Sequence, residues 1–261
     1  MPDDTHADSK ITVVKIGGST LGSQDTSLQD VVDLHRRGAR PVVVHGGGAM
    51  ITDWLTRMEV DSVFVDGLRS TSAEALQVVV GVLRGVVNAQ LVAEIVALGG
   101  SAVGISGVDG GCVRAERYDE RLGYVGRVTS VDGAVIGALL DAGVIPVIAP
   151  IGLEAPAQAL NINADTVAGE VARALGAETL VFLTDVDGLL DADKRLVTEV
   201  DSALAEQMRA DGVLSGGMIP KIDACFRAAR VGVRAFIANG TQPGTLRQIA
   251  AGQPTGTRIT G

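Results

Sequence analysis

The sequence predicts an α/β fold, a three-layer α/β/α sandwich around a mainly parallel central sheet. Short apolar runs of strand composition alternate with helix-period segments along the whole chain. Two of the first runs end in glycine clusters, Gly17-Gly18 and Gly46-Gly47-Gly48. Open parallel sheets bind ligands at the carboxyl ends of their strands, where such clusters would lie. Hydrophobic residues make up 46% of the 261 residues but aromatics only 3%. Val, Leu, Ile and Ala must therefore fill the core, which suits parallel strands covered by helices on both faces.

Residues 11–16 read as a buried strand that carries Lys15 and runs into Gly17-Gly18. Paired glycines let the backbone turn sharply and approach a ligand, and bare N–H groups beside an ammonium suit a phosphate. A loop glycine pair beside a surface lysine is the plain alternative, and this stretch alone does not decide between them. Leu28, Val31, Val32 and His35 share a helix face closed by Gly38, which makes His35 a core-edge residue. Residues 41–44 form a second buried strand ending in His45-Gly46-Gly47-Gly48, and Met50, Ile51, Trp54, Leu55 and Met58 mark the helix after it.

Arg69 lies in the turn 64–70, ahead of a long helix from Ala73 to about Leu98 with Leu76, Val79, Val80, Leu83, Val86, Val87 and Leu91 on its buried side. An arginine there can fork onto a carboxylate, although a solvated arginine near a helix start explains that residue taken singly. A strand over 103–105, a turn over 106–111 and a hairpin-like stretch from Cys112 to Val128 follow. A helix over 132–142 then leads to a strand over 144–149, closed by Pro150. Residues 161–166 (Asn-Ile-Asn-Ala-Asp-Thr) open a helix to about Leu175. Capping explains one or two of these polar residues but not three, and a carboxylate here is placed to hold lysines.

A strand over 179–183 runs into Asp185-Val186-Asp187-Gly188-Leu189-Leu190, an acidic turn suited to a nucleotide rim. Its D-x-D-G lacks the remaining spacing of a calcium loop. A helix over 202–210 comes next. Ser215-Gly216-Gly217 then introduces Lys221 and a helix burying Ile222, Cys225, Phe226 and Ala229. A lysine at a helix start opposes the helix dipole, which points to an anionic ligand. A strand over 234–238, a short helix over 243–250 and an edge strand over 257–259 complete the chain.

The net charge of −9 argues against nucleic acid as partner but leaves room for a phosphorylated ligand in a locally basic cleft. Cys112 and Cys225 have no metal spacing and suit a reducing compartment. Residues 1–10 are polar and acidic, unlike a signal peptide, and no apolar run reaches membrane-spanning length. A cytoplasmic protein without a membrane partner is expected. No P-loop, strict G-x-G-x-x-G after a strand, or protein-kinase motif set is present.

Six motifs recur in order and at matching spacing: Lys15-x-Gly17-Gly18, His45-Gly46-Gly47-Gly48, Gly67-Leu68-Arg69, Asn161-Ile162-Asn163-Ala164-Asp165, Thr184-Asp185-Val186-Asp187-Gly188 and Gly217-Met218-Ile219-Pro220-Lys221. Each is weak singly. In series, from about Ile11 to Gly261, they resemble the amino-acid kinase family, and within it the members that act on N-acetyl-L-glutamate.

The resemblance implies the amino-acid kinase fold and ATP-dependent phosphorylation of a side-chain carboxylate, giving N-acetyl-L-glutamyl 5-phosphate for arginine biosynthesis. ATP with Mg2+ would be the cosubstrate, with no dedicated protein metal site. Lys15 and Lys221 would flank the transferring phosphoryl, with Asp165 orienting both. Gly17, Gly18, Gly46, Gly47 and Gly48 would supply N–H donors, and Arg69 and Asn161 would hold the amino acid. Asp185, Val186, Asp187, Gly188, Leu189, Leu190, Val213, Leu214 and Ser215 would line the nucleotide. Residues 1–175 would form the amino-acid lobe with the dimer helix and 176–261 the nucleotide lobe, in a homodimer.

Two alternatives stay within reach, a kinase for carrier-protein-linked glutamate or aminoadipate and a non-catalytic sensor of ATP and acetylglutamate. The intact 161–165 run favours the free substrate, and the presence of both lysines favours turnover. Relatives inhibited by arginine carry a longer N-terminal helix and a His- and Glu-bearing C-terminal pattern. Here the first strand begins near Ile11 and that pattern is missing, so insensitivity to arginine is expected. Ala89-Gln90 stands where the resemblance would place a lysine in the dimer-side helix.

Overall fold

The computed structural model describes residues 10–17, 26–65 and 68–261. Gly18, Asp66 and Gly67, named above, lie outside the described residues. Ile11–Ile16 (β1) leads to Ser27–Arg36 (α1), and Arg40–His45 (β2) to Gly48–Arg57 (α2). A small hairpin, Phe64–Val65 (β3) with Leu68–Arg69 (β4), precedes a long helix that is α over Ala73–Val80 (α3), π over Gly81–Val87 and α over Asn88–Ala97 (α4). Ala102–Ser106 (β5), Val113–Arg117 (β6) and Val125–Val131 (β7) follow, then Ala134–Asp141 (α5). Next come Ile145–Ala149 (β8), Ile151–Glu154 (β9), Gln158–Ile162 (β10) and Ala164–Ala174 (α6). Thr179–Thr184 (β11), Leu189–Leu190 (β12), Leu196–Val197 (β13) and Glu199–Val200 (β14) lead to Ser202–Ala210 (α7) and Met218–Ala229 (α8). Arg234–Asn239 (β15), Thr245–Ala250 (α9) and Thr257–Ile259 (β16) end the chain.

Eight strands form one sheet in the order β14-β16-β15-β11-β1-β2-β8-β5, parallel throughout except at β15–β16. Because side chains alternate along a strand, β1 sends Val13 to one face and Val14 and Ile16 to the other. Two core clusters result. Val13, Val44, Leu180 and Phe182 pack with Ile136 of α5, Val167 of α6 and Ile222 of α8. Val14, Ile16, Val43 and Leu183 pack with Val31 of α1, Leu55 of α2 and Val79, Leu83 and Leu91 of the long helix. These are the three expected layers, and β1, flanked by β2 and β11, lies at their centre.

β10-β7-β6-β9 close into a small barrel beside the sheet. The β6–β7 hairpin matches the sequence expectation, while β9 and β10 were not foreseen. Closure depends on contacts between residues distant in sequence. A Cβ on Gly152 would lie 2.4 Å from Ile162 Cδ1 and 2.9 Å from Ala115 Cβ, so only glycine lets these walls meet. Asn161 and Ile162 consequently end a strand rather than opening a helix. Asn163 is the cap of α6, its Oδ1 accepting from the N–H groups of Asp165 and Thr166.

Ala73–Ala97 is one 25-residue helix that by length and composition alone could cross a membrane, an 18-residue stretch of it having a mean hydropathy of 1.6. No uninterrupted apolar run reaches that length because Arg84 and Glu94 divide it. Its face of Ala75, Val79, Val82, Leu83, Val87, Leu91 and Ile95 is buried in the core.

Helices distant in sequence also meet. Asp30 of α1 accepts from the N–H groups of Gly244 and Leu246 and so caps α9, its neighbour on the same face of the sheet. Burial raises its carboxyl above the ordinary range, against the pull of those two donors.

Candidate active site

Three element ends converge above the middle of the sheet. Lys15 lies one residue from the end of β1, Asp165 is in the first turn of α6, and Lys221 is in the first turn of α8. A Cβ on Gly169 would lie 3.0 Å from Ala224 Cβ, so glycine allows α6 and α8 the close approach that brings Lys221 to Asp165. Lys15 Nζ stands 2.9 Å from Asp165 Oδ1. Lys221 Nζ donates to Asp165 Oδ2 at 3.0 Å and to the Gly217 carbonyl at 3.3 Å. The Lys15 contact is an off-axis ion pair, since Oδ1 has no partner in hydrogen-bond geometry.

Lys15 and Asp165 are 6% and 5% exposed, so one carboxylate answers two ammonium groups in a dry setting. Burial pulls the Lys15 ammonium below the ordinary lysine value. Asp165 opposes that shift and Lys221 adds to it. One positive charge is left over; Asp165 and Lys221 border a broad space that adjoins a smaller cleft.

That cleft, of about 290 Å3, is bounded by Gly46–Gly48, Arg69, Asn161 and Asn163, with Ile51, Phe64, Leu68 and Leu83 as apolar wall. Leu68, Val125 and Asn163 also border a larger space of about 720 Å3 that reaches Asp165, Gly217 and Lys221. Arg69 is buried. Its Nη1 donates to Ser62 Oγ at 2.6 Å, and its Nη2 to Thr52 Oγ1 at 2.7 Å and the Gly48 carbonyl at 3.2 Å. The Phe64 ring stacks on the guanidinium at 4.6 Å. All these partners are neutral, and among the described residues no carboxylate pairs with Arg69. A ligand carboxylate would supply the missing charge. Asn161 Nδ2 donates to Thr71 Oγ1 at 3.1 Å. Thr52, Ser62 and Thr71 thus hold the two expected ligand-binding side chains, and sequence reading missed all three. Only Thr52 carried a signal, standing one helical turn after Gly48.

The glycines divide in two. Gly47 and Gly48 open α2, where the first-turn N–H groups have no acceptor within the helix, and both border the cleft. Gly46 does not fit the donor role expected of it, because its N–H donates to the Ile16 carbonyl at 3.0 Å. Gly17 is buried just beyond β1.

The expected nucleotide residues divide too. Asp185 and Ser215 are exposed, Val186 and Leu190 are partly so, and Val213 is half-buried. Asp187 Oδ1 accepts from Asn239 Nδ2 and Gln242 Nε2, both at 2.9 Å. Leu189 and Leu214 correct the sequence reading, since both side chains belong to the core cluster under α8 and leave only backbone for a ligand. A Cβ on Gly188 would lie 2.5 Å from Thr257 Oγ1, so that glycine serves packing against β16.

The profile of the amino acid kinase family matches residues 10–239. The acetylglutamate kinase of Granulibacter bethesdensis is 45% identical over 248 residues, covering 88% of this chain and 83% of that protein. The acetylglutamate kinase of Dehalococcoides mccartyi (strain BAV1) is 39% identical over 264 residues, covering 98% and 97%. Among solved structures, the smu.665 protein of Streptococcus mutans superposes with a TM-score of 0.84 at 30% identity, covering 96% of this chain and 98% of that one. With the family profile spanning nearly the whole chain and relatives this similar along most of it, the chain belongs to the amino-acid kinase family.

Proposed function

We propose that the chain transfers the γ-phosphoryl of ATP to the side-chain carboxylate of N-acetyl-L-glutamate, forming N-acetyl-L-glutamyl 5-phosphate, a step of arginine biosynthesis. The observation that carries the chemistry is the Lys15–Asp165–Lys221 bridge beside a cleft bordered by Arg69, which among the described residues pairs with no carboxylate. The acetylglutamate kinases similar along the chain supply the choice of substrate.

In the reaction a carboxylate oxygen attacks the γ-phosphorus, the bond to the β–γ bridging oxygen breaks, and ADP leaves with that electron pair. The carboxylate is already ionised, so no general base is required. Catalysis is positioning plus stabilisation of charge spread over the phosphoryl oxygens. Lys15 and Lys221 take that role from opposite sides, held apart from each other and in place by Asp165. Gly47 and Gly48 N–H groups point their donors at the same charge. Arg69 takes the α-carboxylate and Asn161 the acetamido group. ATP arrives as its magnesium complex along the rim formed by residues 185–190 and 213–215, which belongs to a nucleotide lobe over 176–261. The amino-acid lobe covers 1–175.

A hydroxamate assay with ATP-Mg and a panel of N-acetylglutamate, glutamate, aspartate and N-acetylaminoadipate tests the reading. Acyl phosphate is expected with N-acetylglutamate. Signal with another member alone, or binding without turnover, overturns it. Arg69→Ala is expected to raise KM for N-acetylglutamate by about 10- to 100-fold with kcat nearly unchanged, the loss of a charged hydrogen-bonding partner.

The protein acts as a homodimer through the outer face of the long helix in this reading. Gly81, Gly85, Ala89 and Ala93 are exposed there at helical spacing, and Val96 is 53% exposed. Nothing stands within 4 Å of a Cβ on Gly81 or Gly85, so a second backbone has room to approach. Ala89→Arg is expected to yield a folded monomer by sedimentation equilibrium; an unchanged oligomer places the interface elsewhere.

A further inference from the structure

His45 is fully buried at the end of β2, one residue before the glycine turn. Its Nδ1 lies 2.8 Å from the Gly46 carbonyl and its Nε2 lies 3.0 Å from Asn88 Nδ2. Asn88 is also fully buried, and the same Nδ2 donates to the Val147 carbonyl of β8 at 2.9 Å. Its Oδ1 accepts from Arg84 Nη1 at 3.3 Å. A Cβ on Gly104 would lie 1.8 Å from Asn88 Oδ1, so β5 leaves room for this amide.

Two carbonyls settle the protons. Val147 O can only accept, so the Asn88 atom facing it is the NH2 group, and His45 Nε2 must accept its other proton. Gly46 O can only accept, so His45 Nδ1 carries the proton. A second ring proton would set donor against donor. Burial agrees, holding the ring's pKa down to about 4.

The consequence reaches the cleft through one peptide unit. The Gly46 C=O and the Gly47 N–H lie in one plane and point in opposite directions. Pinning the carbonyl toward buried His45 turns the Gly47 N–H away from it. The Gly46 N–H is tied to the Ile16 carbonyl at 3.0 Å, so the residue is fixed at both ends, one of them on the strand that carries Lys15. The π segment over Gly81–Val87 ends where Asn88 begins, a local irregularity of the kind found at functional sites.

We propose that Asn88 is a positioning residue: by holding His45 as the tautomer protonated at Nδ1, it clamps the Gly46 carbonyl and aims the Gly47 N–H at the acceptor. The inference rests on the functional reading above for what the turn binds, but the clamp is measurable without turnover.

Nitrogen-15 spectra of histidine-labelled protein at neutral pH are expected to show His45 as a neutral ring protonated at Nδ1, the signal assigned by its loss in His45→Asn. In Asn88→Ala the single tautomer is expected to be lost and the Gly47 amide resonance to move. By acyl-hydroxamate formation, kcat should fall about 10- to 100-fold and KM for N-acetylglutamate should rise, with KM for ATP unchanged. His45→Asn, which keeps a donor toward Gly46, should retain more activity than His45→Leu, which keeps none. A wild-type ring protonated at Nε2 overturns the proposal, as does a fixed Gly47 resonance in folded Asn88→Ala. Wild-type protein that makes no acyl phosphate, yet shows the Nδ1 tautomer and the Gly47 shift, sinks the functional reading and leaves the clamp standing.

Discussion

Lys221→Ala is expected to lower kcat by about 10³-fold while KM for N-acetylglutamate changes little, the pattern of a group that acts only on charge developing in the transition state. The structure makes this variant a clean one. Lys221 is in the first turn of α8, and its side chain is 17% exposed. Alanine suits that helix. Asp165 keeps its ion pair with Lys15, so no buried charge is stranded. The variant should therefore melt within a few degrees of the parent, and the lost rate belongs to the missing ammonium. A large rise in KM with unchanged kcat would instead make Lys221 a ground-state binding residue and move the phosphoryl elsewhere.

Lys15, Asp165 and Lys221 were legible from sequence because each is a residue out of keeping with its surroundings. A lysine inside an apolar strand, a surplus acid at a helix start and a lysine against a helix dipole each have a cost without a partner. The central sheet was legible for the same local reason, as unbroken apolar runs recur between helix-period segments. What escaped depends on who meets whom. The barrel closes because Gly152 lets Ile162 and Ala115 approach, and no neighbour in sequence announces that. The Gly46 N–H is spent on Ile16, a contact between adjacent strands that a glycine count cannot reveal. Leu189 and Leu214 sit in loop-like stretches yet fill the core, because their partners come from α7, α8 and the sheet.

Asp165→Ala should do more damage than either lysine variant, and its damage should depend on pH. Removing the carboxylate leaves two ammonium groups facing each other with Lys15 buried, and losing one member of a buried ion cluster costs about 3–5 kcal/mol. Activity should fall by at least the factor expected for Lys221→Ala, since both cations lose their anchor. Burial already holds Lys15 below its ordinary value of 10.5 in the folded protein, and Asp165 is the main force opposing that shift. Without it, the folded value drops further. Between the folded value and 10.5 the unfolded chain carries the extra proton, so the free energy of unfolding rises with pH. Below the folded value the penalty is fully present. Denaturant titrations should thus show the stability gap between Asp165→Ala and the parent narrowing as the pH rises from neutral toward the ordinary lysine value of 10.5. Asp165→Asn, which keeps the side-chain shape, should follow the same trend. A gap that stays constant or widens over that range would mean that Lys15 is not the group whose charge Asp165 secures, and the two-lysine account of catalysis would lose its foundation.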